Sequence, residues 1–274
     1  MKNYFAILLS LVLTIQFVNS QEVTTHEYRY VSQENMEEYL KRETTYYSKL
    51  AESEIKKGNL TYWAILEKVG GENIQNTPNV LTINSYTNMD ERENMWGNIG
   101  KLFPNVKLED MHTERLCKRT DIIYLRKINR VEVENANPDR DFKYVHLVYH
   151  NNINVGKHFE FENNTWAPLL KKAMDKGITT MKGWENYIVV SPVAKEFPYT
   201  SASYDFYSTM HHALSETFSD NMEFGEGFFD NLNANYAGPK NSHLYRIVKV
   251  VRAVNEVKEL VEIKEVQEEE DTVE

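Results

Sequence analysis

The side chains best suited to acid–base chemistry lie in the second half of the sequence: His146, Tyr149, Tyr207 and His211. A free imidazole titrates near neutral pH, so His146 is a candidate general acid or base, with Tyr149 and Tyr207 as its companions. The alternative, which we favour, is a hydrogen-bonded structural histidine on a half-exposed strand. The comparable positions of the first half hold tyrosines and apolar residues, so we expect any activity to depend more on the second half.

The spacing of the histidines does not predict a metal centre. Metal ligands must converge within about 2 Å of one ion, whereas His146 and His150 on one face of a strand would lie about 13 Å apart. His211 and His212 are neighbours on a predicted helix, so their side chains point in different directions. We therefore expect no metal site.

Aromatic side chains offer a second kind of chemistry, the stacking of a flat organic ligand. The candidates are Trp63, Trp166 and Trp184, although tryptophans at these spacings are more often part of the core. Asn84 and Asp205 occupy matched positions between aromatic residues in two predicted strands. We take these five residues as candidate ligand contacts.

Common catalytic motifs are absent from the sequence. It contains no HExxH zinc motif, no GxSxG nucleophile motif, no phosphate-binding Walker loop and no paired cysteines. Gly225-Glu226-Gly227 lacks the third glycine and the preceding strand of a dinucleotide-binding loop. Hydride transfer and phosphoryl transfer are therefore not among the leading functions.

The composition is acidic, with 41 Asp and Glu residues against 31 Lys and Arg residues. Such a surface repels phosphate backbones and anionic membranes, so we expect neither nucleic acid nor membrane as a partner. Cys117 is the single cysteine, which excludes an intramolecular disulfide. We interpret Cys117 as a small packed side chain, with a thiol activated by Lys118 and Arg119 as the alternative.

The N-terminus has the order of features that defines a secretory signal peptide. Lys2 supplies the positive charge, an apolar run covers residues 4–18, and Ser20 is the small residue before the cleavage site. The run is shorter than the roughly 20 apolar residues of a membrane-spanning helix. We predict that residues 1–20 are removed and that a secreted or periplasmic protein begins at or near Gln21.

The sequence resembles itself about 120 residues further along the chain. Four pairs of residues match in the same order: Glu43 with Glu162, Gly58 with Gly177, Trp63 with Trp184, and Tyr86 with Tyr207. This order favours a duplication, with one unit at 21–133 and a second at 143–255. The glutamate-rich segment 256–274 is predicted to be a disordered tail.

Each unit is predicted to fold as strand, helix, strand, strand, helix, strand. In the first unit, apolar residues at helical spacing precede Gly58, a residue type that readily ends a helix, and strands are predicted at 27–31, 63–69 and 80–86. Pro168 lies within the equivalent helix of the second unit, where we expect a kink or a late start. Residues 221–241 are predicted to form an irregular lid or a short helix.

This element order is that of the ferredoxin-like unit. The helix ends, the tryptophan that opens each second strand and the segment around His146 resemble the dimeric α+β-barrel superfamily, over residues 26–255. That group includes stress-responsive A/B-barrel, EthD-like and NIPSNAP-like proteins and antibiotic-biosynthesis monooxygenases. The resemblance implies an α+β fold in which two tandem βαββαβ units close one intramolecular barrel. A monomer or weak homodimer is then expected, with a cavity between each sheet and its helices.

The resemblance also implies roles for individual residues. In A/B-barrel cyclases a histidine at the place of His146 and a tyrosine shape a polyketide pocket. In cofactor-free monooxygenases an asparagine and a tryptophan orient a phenolic substrate, which Asn84 with Trp63 or Trp96 would match. Some relatives ligate a haem iron through a histidine, which makes haem at His211 an alternative to our expectation of no cofactor.

Two hypotheses of different classes follow. The first is a noncatalytic exported protein that binds a small aromatic or hydrophobic ligand, or that acts as an interaction module. The second is a cofactor-independent monooxygenase or cyclase that acts on an aromatic or polyketide-like molecule. The lack of a strong catalytic motif favours the first, whereas a deep cavity in which His146 meets a tyrosine or a carboxylate would favour the second.

Overall fold

The computed structural model describes residues 22–71, 77–215, 218, 222–238 and 240–253. The predicted signal peptide (1–20) and the predicted acidic tail (256–274) lie outside the described residues. Within them, no helix combines the length and the apolar character that crossing a membrane requires.

The first unit has four strands: β1 (Val23–Val31), β2 (Leu60–Lys68), β3 (Val80–Tyr86) and β4 (Cys117–Glu132). Between β1 and β2, a π-helical turn (Glu43–Tyr47) joins α1 (Met36–Arg42) to α2 (Ser48–Lys56) in one continuous rod. Three short helices connect β3 to β4: α3 (Arg92–Gly97), α4 (Ile99–Leu102) and α5 (Leu108–Met111).

The second unit repeats this order after the short helix α6 (Pro138–Asp141). Its strands are β5 (Tyr144–His150), β6 (Met181–Ser191), β7 (Ser201–Tyr207) and β8 (Asn241–Arg252). Its first rod is α7 (Val155–Phe161), a π-helical turn (Glu162–Trp166) and α8 (Ala167–Asp175). The connection from β7 to β8 contains α9 (Met210–Leu214) and α10 (Phe228–Ala234).

The eight strands of the described residues close into an antiparallel barrel in the order β1-β3-β2-β8-β5-β7-β6-β4. Within each unit the fourth strand lies beside the first, the third follows, and the second is at the far edge. The units join where β2 pairs with β8 and where β4 pairs with β6. The predicted fold class, two ferredoxin-like units that form one α+β barrel, is confirmed.

Strand alternation divides the side chains between two environments. One face fills the barrel with residues from both units, such as Leu81, Ile83, Leu147 and Tyr204. The opposite face packs under the helices of its own unit, as Trp63 and Trp184 do. Both faces of β3 are therefore covered, and all seven of its residues are buried.

The glycine predictions hold at both helix ends. Gly58 has φ 79° and Gly177 has φ 65°, the left-handed conformation that lets a helix stop and the chain turn into the next strand. The predicted bounds 80–86 of β3 are confirmed, but β1 was predicted to start at Glu27 and starts at Val23. The segment before Glu27 is polar, so its sequence shows no alternating apolar pattern from which the start of the strand could be predicted.

The helix that contains Pro168 starts early and continues through the proline. A π-helical turn ends at Trp166, two residues before Pro168. Such a turn widens the helix by one residue and is often found at functional sites. The first unit has the same turn, Glu43–Tyr47, with no proline after it, so the proline is not the cause of the turn. The predicted lid region contains the short helix α10.

Candidate functional site

A cavity of about 520 Å³ lies between the sheet of the first unit and its helices. The rod α1–α2 provides Tyr47 at the end of its π-helical turn, and α3 provides Trp96. The strands provide Trp63 and Asn84, which are cross-strand neighbours on β2 and β3. The sequence therefore places three aromatic rings and a carboxamide around one space, because strand parity directs both strand residues toward the helices.

A buried carboxylate with two guanidinium groups forms the polar wall of this first cavity. Arg29 Nη2 donates to Glu27 Oε2 at 2.7 Å, and Arg92 Nη2 donates to Glu27 Oε1 at 2.8 Å. Glu27 is 4% exposed, so these ion pairs are shielded from water. Two guanidinium groups thus share one carboxylate in this part of the wall. The charged lining is completed by Glu43, Glu93, Glu114 and Arg119.

Four polar atoms in this wall are buried and have no hydrogen-bond partner among the described residues: Arg29 Nε, Arg92 Nε, Thr82 Oγ1 and Asn84 Oδ1. The Asn84 amide nitrogen, in contrast, donates to Thr25 Oγ1 at 3.2 Å and reaches Glu27 Oε1 at 3.4 Å. Buried polar groups without partners are rare and cost free energy. All four residues line the first cavity, so the unpaired groups belong to its wall.

Glu43 is the residue of the first cavity best suited to accept a proton. It begins the π-helical turn, is 4% exposed, and accepts a hydrogen bond from Thr113 Oγ1 at 3.0 Å. Burial raises the pKa of the Glu43 carboxyl above its ordinary value, although Arg29 and Thr113 oppose this effect. Burial also raises the pKa of the Cys117 thiol, against the alternative of a thiol activated by its basic neighbours.

A second cavity, of about 300 Å³, lies at the equivalent place in the second unit. The structure brings together four of the predicted residues there, His146, Trp166, Trp184 and Asp205. Asp205 on β7 pairs with His146 on one side and with Trp184 on the other. The corresponding row in the first unit is Thr25, Asn84 and Trp63.

Tyr149 does not join His146, contrary to the predicted pair. The two residues are three positions apart on β5, so their side chains point to opposite faces of the sheet. Tyr149 lies inside the barrel, where its hydroxyl is 2.6 Å from His26 Nδ1. Because side chains alternate between the two faces of a strand, the sequence alone was sufficient to exclude a pair of His146 and Tyr149.

Tyr207 and His211 also lie away from the lining of both cavities. Tyr207 is fully buried in the core beside Trp184, and its ring centroid is 6.0 Å from that of His146 in an edge-on contact. His211 is exposed on the short helix α9. Of the two, Tyr207 supports His146 by packing, and His211 makes no contribution to either cavity wall.

His26 is a buried imidazole that the sequence analysis missed. It lies inside the barrel, with Nδ1 against the Tyr149 hydroxyl and Nε2 against the Tyr204 hydroxyl. Burial lowers the pKa of His26 to about 3, so the ring is neutral at physiological pH. The sequence analysis missed His26 because it precedes the predicted start of β1. Its contacts with Tyr149 and Tyr204 join the first unit to the second.

The structure does not support haem ligation by His211. That residue, the predicted axial ligand, is exposed and lines neither cavity. No group of three or more His, Cys, Asp or Glu residues in the described ranges is arranged to hold a metal ion.

Comparisons with known proteins identify the fold. No protein-family model matches the chain, and no curated protein is similar to it in sequence. Among solved structures, a candidate monooxygenase from Lactobacillus acidophilus is similar with a TM-score of 0.54 and 8% identity, over 85% of this chain and 96% of that one. This likeness shows a shared fold and nothing more.

Two further structures are similar at lower TM-scores, and no argument rests on them. An anthrone oxidase-like protein has a TM-score of 0.49 and 12% identity, over 86% of this chain and 94% of that one. A haem-binding protein from Thermus thermophilus has a TM-score of 0.44 and 11% identity, over 83% of this chain and 91% of that one. The shared architecture is an antiparallel α+β barrel, built here from two ferredoxin-like units within a single chain.

Proposed function

We propose that this chain, whose fold is that of the dimeric α+β barrels, is an exported protein that binds a small aromatic molecule in the first cavity. The observation that carries the proposal is the set of buried polar atoms without partners on residues that line a space walled by Tyr47, Trp63 and Trp96. Rings stack on such walls, and the unpaired donors and acceptors fix polar substituents. A flat phenol or hydroxyquinone offers both features.

Export is part of this proposal and rests on the sequence of residues 1–20. Its test is N-terminal sequencing of protein recovered from the organism that makes it. A mature N-terminus at or within a few residues of Gln21 supports export, whereas an intact Met1 in a membrane fraction contradicts it.

Calorimetric titration with 1,8-dihydroxyanthraquinone, a flat hydroxyquinone, tests binding at the first cavity. We expect saturable binding that weakens about tenfold or more in Asn84→Ala, since one lost hydrogen bond to a buried polar group costs about 1–3 kcal/mol. Asp205→Ala, at the equivalent position of the second unit, is the matched control and should retain the affinity. Equal effects of the two substitutions would contradict this site.

Cys117 provides an independent measurement, because the single cysteine lines the first cavity. A bound ligand should slow the reaction of its thiol with a maleimide by about tenfold, in proportion to occupancy. An unchanged labelling rate at saturating ligand would place the ligand elsewhere.

A cofactor-independent monooxygenase is the second candidate, and one observation favours it. Asn84, Trp63 and Trp96, the residues that the resemblance marked, converge with the proton acceptor Glu43 in one cavity. In such a reaction an activated methylene is oxidised to a carbonyl by O₂: one oxygen atom enters the new carbonyl, the other leaves as water with the two methylene hydrogens, and the substrate supplies all four electrons. Removal of the first proton is the step that a buried carboxylate can perform.

Oxygen uptake with 1,8-dihydroxyanthrone, which carries such a methylene, tests this candidate. Turnover above the uncatalysed rate should fall about 10²-fold or more in Glu43→Gln, the usual scale for the loss of a general base. Thr113→Val, which removes only the hydrogen bond to Glu43, should cost less. If wild-type protein gives no uptake above the uncatalysed rate, only the binding function remains.

A further inference from the structure

Carboxylates outnumber basic side chains in the lining of the second cavity. Its lining contains two carboxylates, Glu162 and Asp205, and Lys240 is the one lysine or arginine among the described residues that form it. In the first cavity, by comparison, Glu27 is paired with both Arg29 and Arg92. The second cavity has no such arginine pair among its described lining residues.

Aromatic rings surround the carboxylates of the second cavity. Trp166 ends the π-helical turn that Glu162 begins, Trp184 lies on β6, and Tyr236 closes the cavity from the segment after α10. The ammonium group of Lys240 lies 4.3 Å from the centre of the Tyr236 ring. This contact shows that an aromatic ring of the cavity already attracts a cation of the protein, and Tyr236 also stacks on His150.

His150 supplies an unpaired atom to the same cavity. It is 5% exposed, and its Nε2 is 3.0 Å from Ser203 Oγ. Its Nδ1 is buried and has no hydrogen-bond partner among the described residues. Burial lowers the pKa of His150 to about 3, so the ring is neutral. In the tautomer whose Nε2–H donates to Ser203, Nδ1 is an acceptor that an N–H or O–H donor of a ligand can satisfy.

We propose that the second cavity binds a protonated amine with an aromatic or apolar body, held by Glu162 and Asp205, by the surrounding rings and by a hydrogen bond to His150 Nδ1. The carboxylates balance the charge, and the rings contact the apolar body and the cation. The unpaired acceptor selects an ammonium group that carries N–H over a quaternary one. A cavity of about 300 Å³ suits a small molecule of this class.

This site is independent of the function proposed for the first cavity. Its ligand is a cation rather than a neutral phenol or quinone, and none of its residues lines the first cavity. A protein with both sites would bind an aromatic molecule in one unit and an amine in the other.

Calorimetric titration of the full chain with phenethylamine at pH 7 tests the proposal. Phenethylamine should bind in the micromolar to millimolar range, phenethyltrimethylammonium should bind at least tenfold more weakly, and phenylacetate should not bind. The second probe keeps the ring and the charge but has no N–H. The third keeps the ring and reverses the charge.

Three substitutions locate the site. Glu162→Gln and His150→Phe should each weaken phenethylamine binding tenfold or more, the phenylalanine retaining a ring beside Tyr236. Glu160→Gln removes the same charge from an exposed position on the same helix and should leave the affinity unchanged. If Glu162→Gln fails to fold, as judged by near-ultraviolet circular dichroism, Asp205→Asn replaces it and should weaken binding tenfold.

Several results would overturn the proposal. They are an absence of phenethylamine binding up to millimolar concentration, equal affinity for the quaternary amine, binding of phenylacetate, or equal losses from Glu160→Gln and Glu162→Gln. None of these results affects the titration with the hydroxyquinone at the first cavity, so the two proposals fail separately.

Discussion

Glu27 controls the chemistry of the first cavity because it fixes two arginines in a buried place. Each guanidinium group offers five N–H donors, and the carboxylate accepts only one donor from each of Arg29 and Arg92. Their Nε–H groups are left without partners beside Thr82 and Asn84. A ligand therefore enters a cavity whose hydrogen-bonding groups are already oriented.

The candidate site was partly predictable at the residue scale. Trp63 and Asn84 were identified because their matched positions in the repeat drew attention to them. The polar wall was missed because Glu27 and Arg29 carry no recognisable motif, and only the register of β1 against β3 brings Glu27 beside Thr82. Tyr149 was misplaced although strand parity alone would have excluded it.

His26 leads to a prediction about stability. Its pKa is lowered to about 3 in the folded protein, against an ordinary value near 6.5, so only the unfolded chain takes up a proton as the pH falls through this range. Stability is therefore complete above pH 6.5 and decreases toward pH 3, by about 1.4 kcal/mol per pH unit from this group. In His26→Gln, the free energy of unfolding should therefore depend less steeply on pH between pH 6 and pH 4, by about 1.4 kcal/mol per pH unit.

The measurement is chemical denaturation across this pH range, compared between the two proteins. The comparison removes contributions that they share, such as those of carboxylates. His150, whose pKa burial also lowers to about 3, should give a similar change as His150→Gln. Parallel pH profiles for wild type and His26→Gln would show that the barrel imidazole is not kept neutral.

At the scale of elements, the two π-helical turns connect the helices to the cavities. Each begins with a buried glutamate and ends with an aromatic residue, and all four residues line a cavity. The sequence showed that Glu43 and Glu162 occupy matched positions. It did not show the π-helical turns, because no local sequence pattern distinguishes a helix that contains such a turn from a regular α-helix. The turn rotates the glutamate toward the sheet, which explains how both glutamates become buried.

The helix ends allow a quantitative prediction. Gly58→Ala should lower the free energy of unfolding by about 1–2 kcal/mol, because its φ of 79° is a left-handed conformation that an L residue with a Cβ disfavours. Gly97→Ala is the matched control: it has no positive φ, and an added Cβ meets no atom within 4 Å. It should be neutral or stabilising by about 0.5–1 kcal/mol. Equal effects in urea denaturation would contradict the assigned backbone conformation.

At the scale of the molecule, the units depend on each other to close the sheet. Each unit alone would expose its second and fourth strands as open edges, which the other unit pairs in the barrel. The contacts of His26 with Tyr149 and Tyr204 cross between the units inside the barrel. The fold class and the strand order were predictable from the repeat, whereas this cross-barrel contact required the closed structure.

The two units differ in their cavities. The larger of these two cavities, with the more extensive set of unpaired polar atoms, belongs to the first unit, whereas all the predicted acid–base residues are in the second. The second unit keeps His146 beside Asp205 in register, but without Tyr149. Duplication would allow such a divergence of two initially equal cavities.

The central claim, that the first cavity holds a small aromatic molecule, is tested most directly by native mass spectrometry of the protein purified from the organism that makes it. Wild-type protein is expected to carry an additional mass of a few hundred daltons, within the range of a ligand for a cavity of about 520 Å³. The double substitution Thr82→Val with Asn84→Leu should remove that mass while the protein remains folded. Wild-type protein at its sequence mass alone, or an additional mass retained equally by the double variant, would contradict the claim.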